Sequence, residues 1–378
     1  MVAPFLPDAE KLAAVREALP AVSAGIYFDT PRAGPLPAET ARSMSDLAGW
    51  ELATGRAGSD RREEALSRVD EARAAVAAIL TTDVDAVALT SGMRDAVSIA
   101  AAAIEWRPGD RVLHVGHPDP DLDGGDVLTA LDRALQPATR LVVCPHVDAA
   151  TGARLPIVEM AGLVRDRGAL LLVDGSQAAG AIPVTVDDYG ADFYAVPSST
   201  WLLGPEGLGA LAASDRHRGR LGGVGDGAGS LRAAPTLEGG PFGFHLPSVV
   251  GFGRSCGWLS MYVGLEWIHR RSAELANVAA GRLESIEGVT VLTPREAGGT
   301  LLTFGVRGWP AELLLEELGA RVFAIASVVP SIDAVRIGLG FFNTEDEIER
   351  FADTVALLAS HTPETIPPRR RLTVLDGT

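Results

Sequence analysis

Lysine is almost missing from this sequence. Of its 33 basic residues 32 are arginine, and the single lysine is Lys11. A guanidinium stays protonated and cannot stand in as an amine nucleophile, so imine chemistry on a lysine is excluded at every position but one. Cysteine is scarce as well. Cys144 and Cys256 are too few for a disulfide framework or a cysteine-built zinc site, which points to a reducing compartment, with the cytoplasm as the expectation. Residues 1–20 hold no apolar stretch of the signal-peptide kind, and no run reaches the roughly 18 apolar residues of a membrane span. Basic charge is in short supply: 33 Lys and Arg face 49 Asp and Glu, for a net charge of −16. A nucleic-acid partner calls for a basic footprint that displaces counterions. The one basic run, Arg369-Arg370-Arg371, sits in a proline-rich tail and reads as a solvated terminus. Neither nucleic acid nor membrane is an expected partner.

What the sequence does hold is alternation. Apolar runs of strand length occur at Ala86–Thr90, Arg111–Val115, Leu141–Cys144, Leu170–Asp174, Phe193–Val196 and Leu208–Ala212. Between them lie amphipathic stretches, among them Arg61–Leu80, Asp95–Ile104, Leu128–Leu135 and Ile157–Arg167. Buried strands alternating with helices predict a parallel α/β sheet. Ligands of such sheets bind beyond the carboxyl ends of the strands. That gives most weight to Thr90-Ser91-Gly92, His117, His146–Asp148, Asp174–Gln177 and Pro197–Thr200. From about Ser260 the pattern changes to a long helix, short strands near 289–292 and 300–306, a further strand at 334–339 and a helix at 345–359. The expected division is an N-terminal segment 1–25, a large α/β domain 26–260, a small α+β domain 261–362 and a tail 363–378.

The stretch LLLVDGSQAAGAIPVTVDDYGADFYAVPSSTWLLGPEGLGAL, beginning at Leu170, resembles the class V aminotransferase group of fold-type I pyridoxal-phosphate (PLP) proteins. That group includes cysteine desulfurases and isopenicillin-N-epimerase-like proteins. The likeness extends to IYFDTPRAGPLP (Ile26–Pro37), TRLVVCPHVDAATGARLP (Thr139–Pro156) and VRIGLGFFNT (Val335–Thr344). It implies a three-layer large domain with a mostly parallel seven-stranded sheet, a small C-terminal α+β domain and a C2 homodimer. Trp201 and the aromatic-rich stretch Pro241–Trp258 would pack or form the dimer wall.

The family's chemistry rests on a Schiff-base lysine, an Asp on the pyridine nitrogen and a phosphate cup. The family motif runs Ser-Gly-His-Lys where this chain has Pro197-Ser198-Ser199-Thr200. Thr200 thus takes the lysine's place, Ser199 the histidine's and Pro197 that of a phosphate-binding serine. The other half of the cup reads Thr90-Ser91-Gly92-Met93-Arg94-Asp95: Met93 has no hydroxyl, Asp95 brings negative charge, and Arg94 can compensate. Ala149 replaces a family Asn. Several contacts persist. Asp174 matches the pyridinium partner, Gln177 the residue near the ring hydroxyl, and Arg336 the clamp on the substrate's α-carboxylate, a bidentate task suited to its planar fork. His146 keeps the family identity. The loop 324–333 has no cysteine, which excludes persulfide sulfur transfer. By alignment of patterns about twenty residues are missing after His117, from the wall over the cofactor ring, and His117 falls near the family's ring-stacking histidine.

These changes occur together, so the expectation is an enzyme on this scaffold without covalent PLP, acting on a small, carboxylate-bearing, amino-acid-like substrate. Acid–base chemistry (elimination, isomerisation, cyclisation or condensation) in a specialised biosynthetic pathway is the reading. Asp174, His117, His146, Thr200 and Ser199 are the candidate catalytic residues, and Arg336, Gln177, Arg94 and Trp201 the substrate-binding ones. One alternative is noncovalent PLP or pyridoxamine phosphate held by Asp174 and Gln177; another is a non-catalytic ligand-binding homologue. Asp174 can equally cap the helix that follows it, and Arg336 can be an interior ion-pair partner. Asp119-x-Asp121-x-Asp123-Gly124 resembles the first half of a calcium loop, but Ala130 stands at its twelfth position, so a turn is expected. His114, His117 and His146 each follow a strand, yet no metal site is expected. Gly222–Gly229 reads as a surface loop.

Overall fold

A computed structural model describes residues 6–57, 59–116, 127–221, 244–295 and 299–369. The N-terminal two thirds run α1 (Asp8–Ala18), β1 (Ile26–Tyr27), α2 (Ala38–Thr54), α3 (Ser59–Leu80), β2 (Val87–Thr90), α4 (Met93–Ala102), β3 (Arg111–His114) and α5 (Val127–Ala134). There follow β4 (Thr139–Pro145), α6 (Ile157–Asp166), β5 (Leu170–Asp174), α7 (Val186–Tyr189), β6 (Phe193–Pro197), β7 (Gly209–Ala213), α8 (Asp215–Leu221) and α9 (Leu246–Gly257). Together they build a six-stranded sheet of order β2-β7-β6-β5-β4-β3. Strands β3 to β6 are parallel, while β7 runs antiparallel to both its neighbours. The central strands are apolar along their length because both faces are covered. Every residue of β2 and β7 is buried, one face packing into a large cluster with α3, α6 and α9 and the other against α4.

The resemblance predicts seven strands in this sheet, and the described residues hold six. The difference lies at one edge. β3 is the outermost strand, with Arg111, Val112 and His114 exposed, and no strand covers it among the described residues. Residues 117–126, which include His117 and the calcium-loop-like run Asp119–Gly124, lie outside the described residues. So does Gly222–Gly229.

The C-terminal part runs α10 (Leu265–Glu284), β8 (Val289–Val291), β9 (Leu301–Val306), α11 (Ala311–Val322), β10 (Ala324–Ile325), β11 (Ser327–Val329), β12 (Ala334–Gly338) and α12 (Glu345–Ala359). An antiparallel sheet of order β11-β12-β9-β8 packs on α10, α11 and α12 around Phe304, Val335, Ile337 and Phe351. The start of the chain is drawn into this unit. β1 pairs parallel with β10, Ile26 opposite Ala324, and Ile26 and Phe28 are buried in the small core.

A polar cluster fastens α1 to α12. Arg16 pairs with Glu347 at 2.9 Å and donates to the Phe342 carbonyl at 2.7 Å. Thr344 caps α12, its hydroxyl accepting the Glu347 N–H at 3.2 Å while the Glu347 carboxylate accepts the Thr344 N–H at 3.1 Å. Thr344→Ala is therefore expected to lower stability by about 1 kcal/mol, read as a lower urea midpoint at unchanged slope. An unchanged midpoint would show that the cap contributes nothing.

Candidate active site

The sequence-selected residues come together where three loops meet. The first follows β5. Asp174 ends the strand, its Oδ1 accepting the Ser176 N–H at 2.8 Å, and the turn closes as Gly175 N–H donates to the Ala195 carbonyl. The bond from Ser176 closes a turn: residues 175–180 hold no helix for Asp174 to cap. Burial pushes its carboxyl pKa up, and the hydrogen bonds from Ser176 pull part of the way back. Among the described residues no arginine or histidine forms an ion pair with it.

The second loop follows β6. Ser198 is buried and turns its hydroxyl to the Leu208 carbonyl at 3.0 Å and to that of Pro205. Thr200 donates its hydroxyl to the Ser176 carbonyl at 2.9 Å, which ties this loop to the first. Ser199 is half-buried, and its hydroxyl makes no hydrogen bond among the described residues. Trp201 is buried and donates its indole N–H to Gln177 Oε1 at 3.0 Å.

The third loop is the segment 29–34. Gln177 Nε2 donates to the Pro31 carbonyl at 2.9 Å, and Gly34 N–H donates to the Ser199 carbonyl at 2.7 Å. Glycine is required at 34 because a Cβ would lie 2.2 Å from the Thr200 carbonyl oxygen. Gln177 and Trp201, expected to touch substrate, are placed in the floor, bonded to each other and to the backbone.

Arg336, on β12, faces the far side of this segment. Its Nη1 donates to the Ala149 carbonyl at 2.8 Å and its Nη2 to Ser327 Oγ at 3.1 Å. Ser327 is in turn hydrogen-bonded to Asp29. Burial raises the Asp29 pKa, Ser327 and the nearby Arg336 and Arg32 opposing it. Asp29 Oδ1 and Arg336 Nε are both buried without a partner. Asp29, Arg32 and Ser327 were not singled out from sequence, although the run DTPRAGP carried two of them in a matched motif.

His146 is packed against the loop that follows β5. It is 1% exposed, its backbone N–H donates to the Asp174 carbonyl at 2.8 Å, and its Nδ1 lies 2.8 Å from the Tyr194 hydroxyl. The Tyr194 ring presses on Gly175, where a Cβ would fall 2.3 Å from it. Tyr189 stacks on Tyr194 and meets the imidazole edge-on. Tyr194 also escaped the sequence reading, yet a tyrosine inside a fully buried strand must find a partner for its hydroxyl. Burial, with a smaller push from Arg154, lowers the His146 pKa to about 4.

Three candidates stand apart. Arg94 is exposed on the first turn of α4, with no hydrogen bond or ion pair to the other candidates among the described residues. In that turn Asp95 spends its carboxylate on the Ser91 N–H at 2.8 Å. His114 is exposed on β3, and His117 lies outside the described residues. Among the described residues no cluster of His, Cys, Asp and Glu could hold a metal ion, and no helix is long and apolar enough to cross a membrane. Lys11, the one lysine, is buried with its Nζ 4.6 Å from the centre of the Trp267 ring.

The aminotransferase class V family model matches residues 113–351. A probable cysteine desulfurase of Methanothermobacter thermautotrophicus is 25% identical over 390 residues, spanning 91% of this chain and 97% of its own. An isopenicillin N epimerase of Streptomyces clavuligerus is 29% identical over 262 residues, 64% of this chain and 66% of its own. Among solved structures, a lysine-to-alanine mutant of C-DES with glycine covalently linked to its PLP cofactor aligns with a TM-score of 0.78 at 19% identity, covering 90% of this chain and 98% of that one. The apo cysteine desulfurase of Thermococcus onnurineus gives 0.76 at 19% identity, covering 92% and 98%. At these identities the structures establish the fold.

The lowered pKa of His146 has a definite sign. The unfolded chain takes up a proton at the ordinary 6.5, the folded one only near 4. The histidine's contribution to stability is therefore full above pH 6.5 and lost as the pH falls towards 4. The His146 ring is expected to remain neutral at pH 5 in a nitrogen-detected NMR titration, its signals assigned by their loss in His146→Asn. A midpoint at or above pH 6 would show an imidazole in contact with water.

Proposed function

The chain belongs to the aminotransferase class V family, and we propose that within it this protein acts without a Schiff-base cofactor, on a small amino-acid-like substrate bearing a carboxylate. The observation that carries this reading is Thr200. It stands where the family motif has its lysine, its hydroxyl is engaged by the Ser176 carbonyl, and a hydroxyl forms no imine. The only lysine lies under Trp267. The residues present therefore do not fit a covalently held PLP. Met93 in place of a hydroxyl also speaks against the phosphate cup, whereas Gln177, bonded to Trp201 and Pro31, keeps one N–H free for a ring hydroxyl.

In this reading Arg336 holds the carboxylate. Each of its terminal nitrogens keeps one N–H beyond the bonds to Ala149 and Ser327. Asp174, whose carboxyl pKa is raised by burial, is the acid or base facing the cleft. Ser199 offers a hydroxyl with no protein partner among the described residues. His146, neutral and packed under Tyr194, acts through the Asp174 backbone rather than by meeting substrate. Proton transfer at one carbon, elimination, isomerisation, cyclisation or condensation each suit this set, and a specialised biosynthetic pathway is the proposed setting. We take the protein to be a cytoplasmic C2 homodimer, its copies meeting at the groove of about 670 Å³ between α2, α3 and α9, where Trp258 and Met261 lie.

One observation favours a second reading. Asp174 has no cationic partner among the described residues, and a ring nitrogen of noncovalent PLP or pyridoxamine phosphate would supply one. An absorbance scan separates the two. The protein as purified, and again after incubation with PLP and dialysis, is expected to show no cofactor band, either in the near ultraviolet where pyridoxamine phosphate absorbs or at the violet edge of the visible spectrum where PLP does. A band that survives dialysis would overturn the cofactor-free reading.

A further inference from the structure

Arg32 has entered so far only through its charge near Asp29. It lies in the segment that joins the Thr200 floor to the Arg336 side, is exposed, and makes no side-chain hydrogen bond or ion pair among the described residues. It lines a cavity of about 570 Å³ together with Arg336, Ser327, Glu312 and Glu316, a size that suits a small ligand. We propose that Arg32 is a specificity-determining residue, and that the substrate carries a second acidic group besides the carboxylate held by Arg336. This rests on the amino-acid reading above and makes the substrate an α-amino acid with an acidic side chain.

The argument is one of charge. Arg32 and Arg336 are close enough for their like charges to oppose each other, and they open on the same cavity. Asp29 reaches Arg336 through Ser327, its Oδ1 is buried without a partner, and it does not line the cavity. Arg32 feels the same carboxylate more weakly than Arg336 does and forms no ion pair of its own among the described residues. On the opposite wall Glu316 is held by Arg369 at 2.8 Å. Glu312, in the first turn of α11, has no ion pair among the described residues. Two guanidiniums facing one unpaired carboxylate complement two acidic groups and one ammonium. A monocarboxylate satisfies Arg336 and leaves Arg32 unmatched. A guanidinium fork accepts carboxylate, phosphate or sulfonate alike, so the second group is fixed as acidic and its kind is read from the ligands that bind.

The test is calorimetric titration of the full chain with L-glutamate, L-aspartate, L-cysteate and O-phospho-L-serine, against L-glutamine and L-alanine. At least one acidic amino acid is expected to bind about tenfold or more tighter than glutamine, as charge-assisted hydrogen bonds are the stronger ones. Arg32→Met should erase that preference and leave glutamine affinity as it was. Arg336→Met should weaken every amino acid. Circular dichroism confirms that both variants fold. Equal affinity for glutamate and glutamine, with Arg32→Met silent and Arg336→Met damaging, would overturn the role of Arg32 alone. No binding of any amino acid, or Arg336→Met without effect, would overturn the amino-acid reading and this inference with it.

Discussion

A single primary amide holds the site together. Gln177 bonds through its nitrogen to the Pro31 carbonyl and through its oxygen to the Trp201 indole, so one buried side chain fastens three loops far apart in sequence. Both partners are protein groups, and each would be costly to leave buried and unpaired. The loops meet in one arrangement because only there is the amide satisfied at both ends. The contacts of Thr200 with Ser176 and of Gly34 with Ser199 follow from that placement. So does the position of Arg32, carried on the same segment.

Much of the large domain was legible in the sequence. The run 170–174 is β5 residue for residue, Phe193–Val196 lengthens by one into β6, and Ala86–Thr90 yields its first residue to a short helical turn before β2. Such runs are plain because parallel strands buried on both faces admit only apolar residues. The pairing of β1 with β10 was not legible: two residues carry no period, and their partner lies some three hundred positions on.

The site was legible in its identities and less so in its roles. Asp174, Thr200, Gln177 and Arg336 were all singled out, and all four spend hydrogen bonds on the protein itself. A motif records which residue occupies a position. Which partner satisfies it depends on the loops that tertiary structure brings alongside. Tyr194 illustrates the converse: inside an apolar strand it resembles any aromatic core residue, and only the approach of His146 to 2.8 Å gives its hydroxyl a purpose. Arg32 escaped for a similar reason, since an arginine in a loop is ordinary until a second one is found on the same cavity.

The lone lysine has a further consequence. Lys11 is 4% exposed, and the indole of Trp267 lies under its ammonium. The outer surface therefore carries its positive charge on arginine alone. Acetylation, ubiquitin conjugation and crosslinking at a side-chain amine need a lysine in contact with solvent, and Lys11 is withdrawn from it. The protein is thus shielded from every covalent mark addressed to a lysine side chain for as long as it stays folded.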